Sequence, residues 1–337
     1  MKSKEEKKIK VLVTGANGFI GLNLIKELVK KKKYEIRCLI RSDKNLIELQ
    51  GLGVEVIYGD TTNRDSLKNI CKDIEVVFHL AAKGDIVSEN KDAYKEMFKI
   101  NVVGTKNLLI ECKNVKKFVH FSSIAAVGFT VGGDLDERVT CRPEIPYEKS
   151  KYESEQVVKK FCEKSSLKYT IIRPTMVYGE FDLNSETLQM CKLCQKHMFP
   201  LFGGGKNLMN PTYVGNVVQA VIHAIETSKS NNQIYFISDQ RAYTLKELID
   251  EISRKLNVKQ AGFYFPLWIA KLGVIILEPM FDLFNKTPPI TKRRMNVWKI
   301  KSIYSIDKAK KELNYNPISL KEGISHTVDW YKLNHFL

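Results

Sequence analysis

Residues 10–21 read KVLVTGANGFIG. Val11, Leu12 and Val13 make a short apolar run suited to a buried strand, and Gly15, Gly18 and Gly21 follow at a spacing of three. An amphipathic stretch, LNLIKELVKK (22–31), comes next. Glycine tolerates dihedrals that side chains forbid, and its missing Cβ lets an anion approach the backbone. A helix behind such a turn offers unpaired N–H groups and the positive end of its dipole to that anion. Glycine turns alone are common, but one set between a strand and a helix reads as a dinucleotide cradle. Its residues here are Gly15, Asn17, Gly18, Phe19, Ile20 and Gly21.

Further along, KIKVLVTG (8–15), YEIRCLI (34–40), VEVIYG (54–59), IEVVFHLAA (74–82), VKKFVHFSS (115–123) and LKYTIIRP (167–174) read as buried strands. Helical patterns such as KNLLIECK (106–113) separate most of them. Alternating strands and helices imply βαβ units, hence an α/β fold with a Rossmann-type doubly wound parallel sheet over residues 1–180. Beyond about Gly179, helical stretches near 185–197, 212–228 and 244–256 surround a strand, QIYFISD (233–239), and a helix near 320–333 closes the chain. Residues 181–337 are expected to form a smaller, mostly helical substrate lobe, with the segment 212–239 rejoining the Rossmann sheet.

The 337 residues allow one large core or two modest ones, and 44% hydrophobic with 27% charged residues is an ordinary soluble composition. The net charge of +16 comes with lysine-rich stretches such as MKSKEEKKIK and Lys30–Lys33, but with no RNA-binding signature or zinc-finger spacing. A solvated basic surface is the favoured reading, with no nucleic-acid partner. Seven scattered cysteines suit a reduced cytoplasmic enzyme rather than a disulfide framework. Cys191 and Cys194 lack a second pair or a histidine pair to complete a zinc site, so no metal is expected. The charged N-terminus is unlike a secretory signal. The run FYFPLWIAKLGVIILEPMFDLF (263–284) approaches the length of a membrane span, but Lys271, Glu278, Pro279 and Asp282 interrupt it. Two readings stand: a helix packed on the lobe, or an apolar lid or peripheral membrane anchor beside a lipid pocket.

The second strand ends CLIRSDKN, with Ile40 where dinucleotide folds often carry a ribose-binding carboxylate. Arg41 follows, and a guanidinium there suits a 2′-phosphate through forked, charge-assisted hydrogen bonds. NADP is therefore expected over NAD, the alternatives being Asp43 as the ribose ligand or Arg41 as a solvated side chain. Asp60, in YGDTTN, is either within reach of the adenine amino group or a helix N-cap.

YEKSK sets Tyr147 and Lys151 four residues apart, on one face of a helix. Neither side chain is a useful acid or base near neutral pH alone, but an ammonium beside a phenol favours phenolate. Such a pair is usually surface decoration, and its company changes that. TGANGFIG, GDTTN, HLAAK (79–83), the Asn101 of NVVGT, FSSIAAVG (121–128), YEKSK and RPTMVYG (173–179) follow in one order over about 170 residues. Together they resemble the extended short-chain dehydrogenase/reductases. The resemblance implies a catalytic triad of Ser123, Tyr147 and Lys151, with Tyr147 as acid/base, Ser123 bonding the reacting oxygen, and Lys151 holding the nicotinamide ribose and lowering the tyrosine pKa. It implies cofactor contacts from Asp60, Thr61, Ala81, Ala82, Lys83 and Pro174, and Asn101 as support for the site helix.

Sugar dehydratases place Asp and Glu after the active hydroxyl residue; here Ile124 and Ala125 stand there, which disfavours elimination of water. Val127 replaces a usual tyrosine, and Met209 falls where nucleotide-sugar enzymes tend to put a pyrophosphate-binding arginine. Lys206 is the nearby substitute. NPTYVGNV (210–217), YFISD (235–239), FPLWIAKLGVIILE (265–278), TPP (287–289) and AKKELNYNP (309–317) resemble the 3β-hydroxysteroid dehydrogenase branch. That resemblance implies an NAD(P)-dependent oxidoreductase acting on a secondary alcohol or ketone of an apolar, sterol- or lipid-like small molecule, and is compatible with a homodimer. The alternatives are a nucleotide-sugar 4-epimerase with tightly held NAD, and a non-enzymatic cofactor-binding regulator. Arg41→Ala is expected to weaken NADPH binding more than NADH binding; fluorescence titration with both cofactors checks this, and an unchanged ratio contradicts the assignment.

Overall fold

Alternate residues of the first strand serve opposite faces: Val11 and Val13 join one apolar core, Leu12 the other, and all three are fully buried. The computed structural model describes residues 7–84, 91–183, 186–258, 262–269, 272, 274–275 and 301–337. Its central sheet comprises β1 (Ile9–Thr14), β2 (Tyr34–Ile40), β3 (Glu55–Tyr58), β4 (Val76–His79), β5 (Lys117–Phe121), β6 (Lys168–Pro174) and β7 (Gln233–Ile237). These seven strands run in the order β7-β6-β5-β4-β1-β2-β3, every neighbouring pair parallel. The expected doubly wound sheet is present.

One face carries helix Phe19–Lys30, burying Leu22, Leu24, Ile25 and Leu28 with Val217, Val218 and Val221 of helix Val214–Glu226. On the other face Leu108 and Leu109 of helix Gly104–Glu111 and Val158 of helix Pro146–Glu163 pack with Val77 and Phe118. Strands covered on both sides read as near-continuous apolar runs, which is why they were visible in the sequence. The first helix begins at Phe19, three residues before its amphipathic pattern, because Gly18 takes the extended backbone of an N-cap. A π-helical turn, Phe98–Val103, lies between helices Lys91–Met97 and Gly104–Glu111; no sequence pattern announced it.

The chain after β6 builds a second core from Cys191, Cys194, Leu248, Ile252, Ile324, Val328 and Tyr331. Burial pushes the Cys191 and Cys194 thiols up to about 12 and about 11, the state of packed, unreactive cysteines. Asp239 ties this region to the sheet, accepting from the Tyr213 backbone N–H at 2.9 Å, from Asn216 at 2.7 Å and from Tyr178 at 3.3 Å. The run 263–284 does not begin as a helix. Gly262–Phe265 is a strand paired in parallel with Phe199–Phe202, and Pro266, which lacks an N–H, follows it. Phe263, Tyr264, Leu267, Trp268, Leu272 and Ile275 are exposed. Residues 276–284 and 287–289 lie outside the described residues, among which no helix is long and apolar enough to cross a membrane.

A Cβ on Gly21 would stand 2.3 Å from the Gly15 carbonyl oxygen, whereas one on Gly53, at φ +66°, would meet nothing within 4 Å. Gly53→Ala is expected to cost only the left-handed penalty of about 1–2 kcal/mol in urea unfolding. Gly21→Ala should cost at least about 1–3 kcal/mol, because packed backbone must move. Equal midpoints for the two variants would contradict this reading of the turn.

Candidate active site

The strand order reverses between β1 and β4, since the chain builds outward through β2 and β3 and then returns to the other side of β1. Loops at such a reversal separate at the carboxyl ends of the strands and leave a crevice there. Arg41 follows β2, Asp60 and Thr61 follow β3, Ala81, Ala82 and Lys83 follow β4, Ser123 follows β5, and Pro174 ends β6. All of these lie at the same end of the sheet as the glycine turn.

Gly15 has φ +66°, and a Cβ there would lie 2.9 Å from the Ala81 nitrogen. The two loops therefore touch where only backbone fits. Thr14 and His79 fasten that contact. The Ala81 N–H donates to Thr14 Oγ1 at 3.1 Å, Thr14 pairs with His79 Nδ1 at 2.8 Å, and His79 Nε2 pairs with Thr105 Oγ1 at 2.9 Å. Burial, with the Lys151 charge behind it, pushes His79 down to about 3, so the imidazole is neutral. The Gly18 N–H donates to the Gly15 carbonyl at 3.0 Å, and no side chain caps the helix beginning at Phe19. This bare helix end beside a cradle that a Cβ would fill fits a dinucleotide pyrophosphate.

Asn17 donates to the Ser42 carbonyl at 2.8 Å and accepts from Asn45 at 3.0 Å through its own carbonyl, which draws the 41–45 loop against the turn. Arg41 is 67% exposed and stands 4.0 Å from Asp60 Oδ2. An exposed pair at that distance is worth about 0–1 kcal/mol, so the guanidinium is readily recruited elsewhere. Asp43 accepts from the Tyr58 hydroxyl at 2.5 Å. Asp60 is not the helix cap: its Oδ1 accepts from the Thr62 N–H at 2.8 Å, and Asn63 caps the next turn.

Tyr147 and Lys151 occupy the first two turns of helix Pro146–Glu163, whose opening proline suits a helix start. Glu148 holds that start, accepting from the Glu144 N–H at 2.7 Å and the Phe129 N–H at 3.2 Å. Ser123 caps the short helix Ile124–Val127, and its hydroxyl lies near the Tyr147 phenol. Burial raises the phenol's pKa, and the nearby Ser123 hydroxyl opposes it. Lys151 Nζ donates to the Phe121 carbonyl at 3.1 Å. Burial pushes the Lys151 ammonium down to about 8, with Glu155 pulling the other way. Gly84 passes against the Tyr147 ring, a Cβ there lying 3.6 Å from Cε2.

Asn101 sits in the π-helical turn, where widened backbone often marks a functional position. Its Oδ1 accepts from the Lys83 N–H at 2.7 Å, and its Nδ2 donates to the Lys83 carbonyl and to Ser150 Oγ, both at 2.9 Å. One amide thus joins the β4 loop to the Tyr147 helix. Lys83 itself pairs with Glu96 at 2.6 Å. Sequence reasoning missed His79, Ser122, Glu155 and Arg173. Glu155 was signalled by standing four residues beyond Lys151, as Lys151 stands beyond Tyr147.

The model of the 3-beta hydroxysteroid dehydrogenase/isomerase family matches residues 12–267. The chain belongs to this family. As a 3-beta hydroxysteroid dehydrogenase/isomerase family member it is an extended short-chain dehydrogenase/reductase, an oxidoreductase of the NAD-dependent epimerase/dehydratase superfamily. Sterol demethylase protein B of Methylococcus capsulatus is 36% identical over 95% of this chain and 98% of its own length. UDP-glucose 4-epimerase of Vibrio cholerae is 28% identical over 94% of each chain. The crystal structure of the Thermotoga maritima UDP-glucose 4-epimerase with UDP-glucose matches at a TM-score of 0.79 and 25% identity, covering 97% of this chain and 100% of that one. Asn101→Ala in this family member should lower stability by about 1–3 kcal/mol, since it strands the Lys83 N–H and carbonyl. Urea unfolding checks the figure, and wild-type stability would remove Asn101 from its clamping role.

Proposed function

We propose that this enzyme transfers a hydride between NADP(H) and a secondary alcohol or ketone of an apolar, sterol- or lipid-like substrate. The observation that carries the choice of substrate is Met209. It lies half-buried in the lobe strand Leu208–Met209, where the Asn207 amide donates to its sulfur at 3.6 Å. A thioether offers a diphosphate no charge and no hydrogen-bond donor. The 36% identity to a protein named as a sterol demethylase supports the same reading.

When bound, the nicotinamide cofactor supplies the hydride acceptor or donor. Tyr147 holds the proton exchanged with the substrate oxygen, and its burial keeps the phenol protonated until that oxygen develops charge. The Ser123 hydroxyl, which lies near the phenol, steadies the same oxygen. Lys151 brings a buried cation to the floor of the site and binds the nicotinamide ribose. The bare N-terminus of helix Phe19–Lys30 takes the pyrophosphate. Arg41, loosely held by Asp60, takes a 2′-phosphate, which favours NADP over NAD. The exposed Phe263, Tyr264, Leu267, Trp268, Leu272 and Ile275 offer an apolar surface for a lipid-like substrate or for a membrane that carries one.

The second reading, a nucleotide-sugar 4-epimerase, is favoured by the 28% identity to a UDP-glucose 4-epimerase and uses the same three residues. Cofactor behaviour separates the two: an epimerase purifies with NAD retained through gel filtration, while the proposed enzyme exchanges NADP(H) freely. Tyr147→Phe should bind cofactor nearly as wild type while turnover falls roughly 10²–10⁴-fold. Lys151→Ala should lose both, and Ser123→Ala chiefly turnover. Wild-type turnover by Tyr147→Phe would end the assignment of the tyrosine as the acid.

A further inference from the structure

Beneath the triad lies an ion pair that the proton transfer does not use. Glu155 is fully buried and Arg173 is 2% exposed. Arg173 donates from Nε to Glu155 Oε1 at 2.8 Å and from Nη2 to Oε2 at 2.6 Å, a forked pair. Ser122 donates to Oε1 at 2.5 Å. Each partner adjoins a site residue in the chain: Ser122 precedes Ser123, Arg173 precedes Pro174, and Glu155 stands one helical turn beyond Lys151. Such a pair is costly to desolvate, and an apolar trio of the same volume would pack as well or better. Its place beside a second buried cation gives it a use.

We propose that Glu155 is a positioning residue that keeps Lys151 charged, its carboxylate, fixed by Arg173 and Ser122, serving as the counter-charge that a lysine inside the protein otherwise lacks. The proposal rests on the reading of Lys151 as the cation of the site. Lys151 is 5% exposed, and its ammonium donates to a neutral carbonyl, that of Phe121. Facing it from β4 and β5 are His79 and His120, stacked with ring centres 5.6 Å apart. Burial holds both imidazoles below their usual range, so neither supplies charge of either sign near neutral pH. From its own helix come Tyr147, whose burial keeps it neutral, and Glu155. From β6 comes Arg173, on the far side of Glu155 and engaged by it. Glu155 is therefore the anion among these groups. Burial drives Lys151 toward the neutral amine, and the Glu155 carboxylate opposes it. Residues i and i+4 on a helix have Cβ atoms about 6 Å apart, close enough for a strong effect in a water-poor interior.

The test is a pH titration of the cofactor-free full chain by NMR, with 13C at lysine Cε and the Lys151 signal assigned by its loss in Lys151→Met. In the wild type Lys151 should titrate near pH 8. Glu155→Gln, which leaves Arg173 uncompensated, should lower the midpoint by about one pH unit or more. Glu155→Asp, which keeps the charge, should stay within about half a unit of wild type. The alkaline limb of kcat/KM should move with these midpoints, which a purely structural role for Glu155 would not produce. If Glu155→Gln does not fold, Glu155→Gln with Arg173→Met removes both charges together, and its Lys151 midpoint should still fall below that of wild type. A wild-type midpoint in Glu155→Gln or in the double variant, or an equal shift in Glu155→Asp, overturns the proposal. The NMR titration contains neither substrate nor cofactor, so an error in the proposed substrate class leaves its outcome unchanged.

Discussion

Parallel pairing is the constraint on which the rest depends. Because all seven strands of the sheet point one way, every strand-ending segment emerges on the same side. The reversal of order between β1 and β4 opens the crevice there, and the Gly15–Ala81 backbone contact forms its floor. Thr14 and His79 hold that contact from below, and Asn101 ties the same loop to the helix bearing Tyr147 and Lys151. The glycine turn and the Tyr147–Lys151 pair, 132 residues apart when counted from Gly15 to Tyr147, are thus brought to one end of the sheet and linked by a few hydrogen bonds.

The helix Pro146–Glu163 places polar side chains on successive turns. Tyr147 lies against Gly84 of the β4 loop and Lys151 Nζ reaches the Phe121 carbonyl, while Ser154 pairs with His120 at 2.9 Å and Glu155 with Arg173. A conserved volume of apolar packing would hold the helix as firmly, but it would leave Lys151 among neutral groups. On the proposal above, the polar interior beneath the site serves as electrostatic support for Lys151, a buried ion pair being weak evidence for stability.

The sheet was legible because its central strands are buried on both faces and so stand out as apolar runs such as VVFH and KFVHF. Individual site residues were legible where a chemical type recurs at a telling spacing: glycine at 15, 18 and 21, tyrosine and lysine at 147 and 151. What hid were contacts between residues far apart in the chain. Nothing near Glu155 in sequence announces Arg173, and a buried histidine such as His79 looks like any other polar residue ending a strand. The opening of 263–284 as a strand was hidden for another reason: Phe-Tyr-Phe suits strand and helix alike, and its partner, Phe199–Phe202, lies more than sixty residues earlier.

On the proposed function, hydride passes between the cofactor and a secondary alcohol or ketone of an apolar substrate at Tyr147, and a reversible reaction can be followed from the ketone side. Following deuterium from NADPH labelled at nicotinamide C4 tests it most directly, with a panel of keto-sterols, other keto-lipids and UDP-sugars as substrates and mass spectrometry of the products. The account predicts one deuterium retained on the new carbinol carbon of a lipid product, with oxidised cofactor accumulating in equal amount. Conversion of a UDP-sugar to its epimer with no accumulated oxidised cofactor, and no deuterium delivered to any lipid ketone, would contradict it.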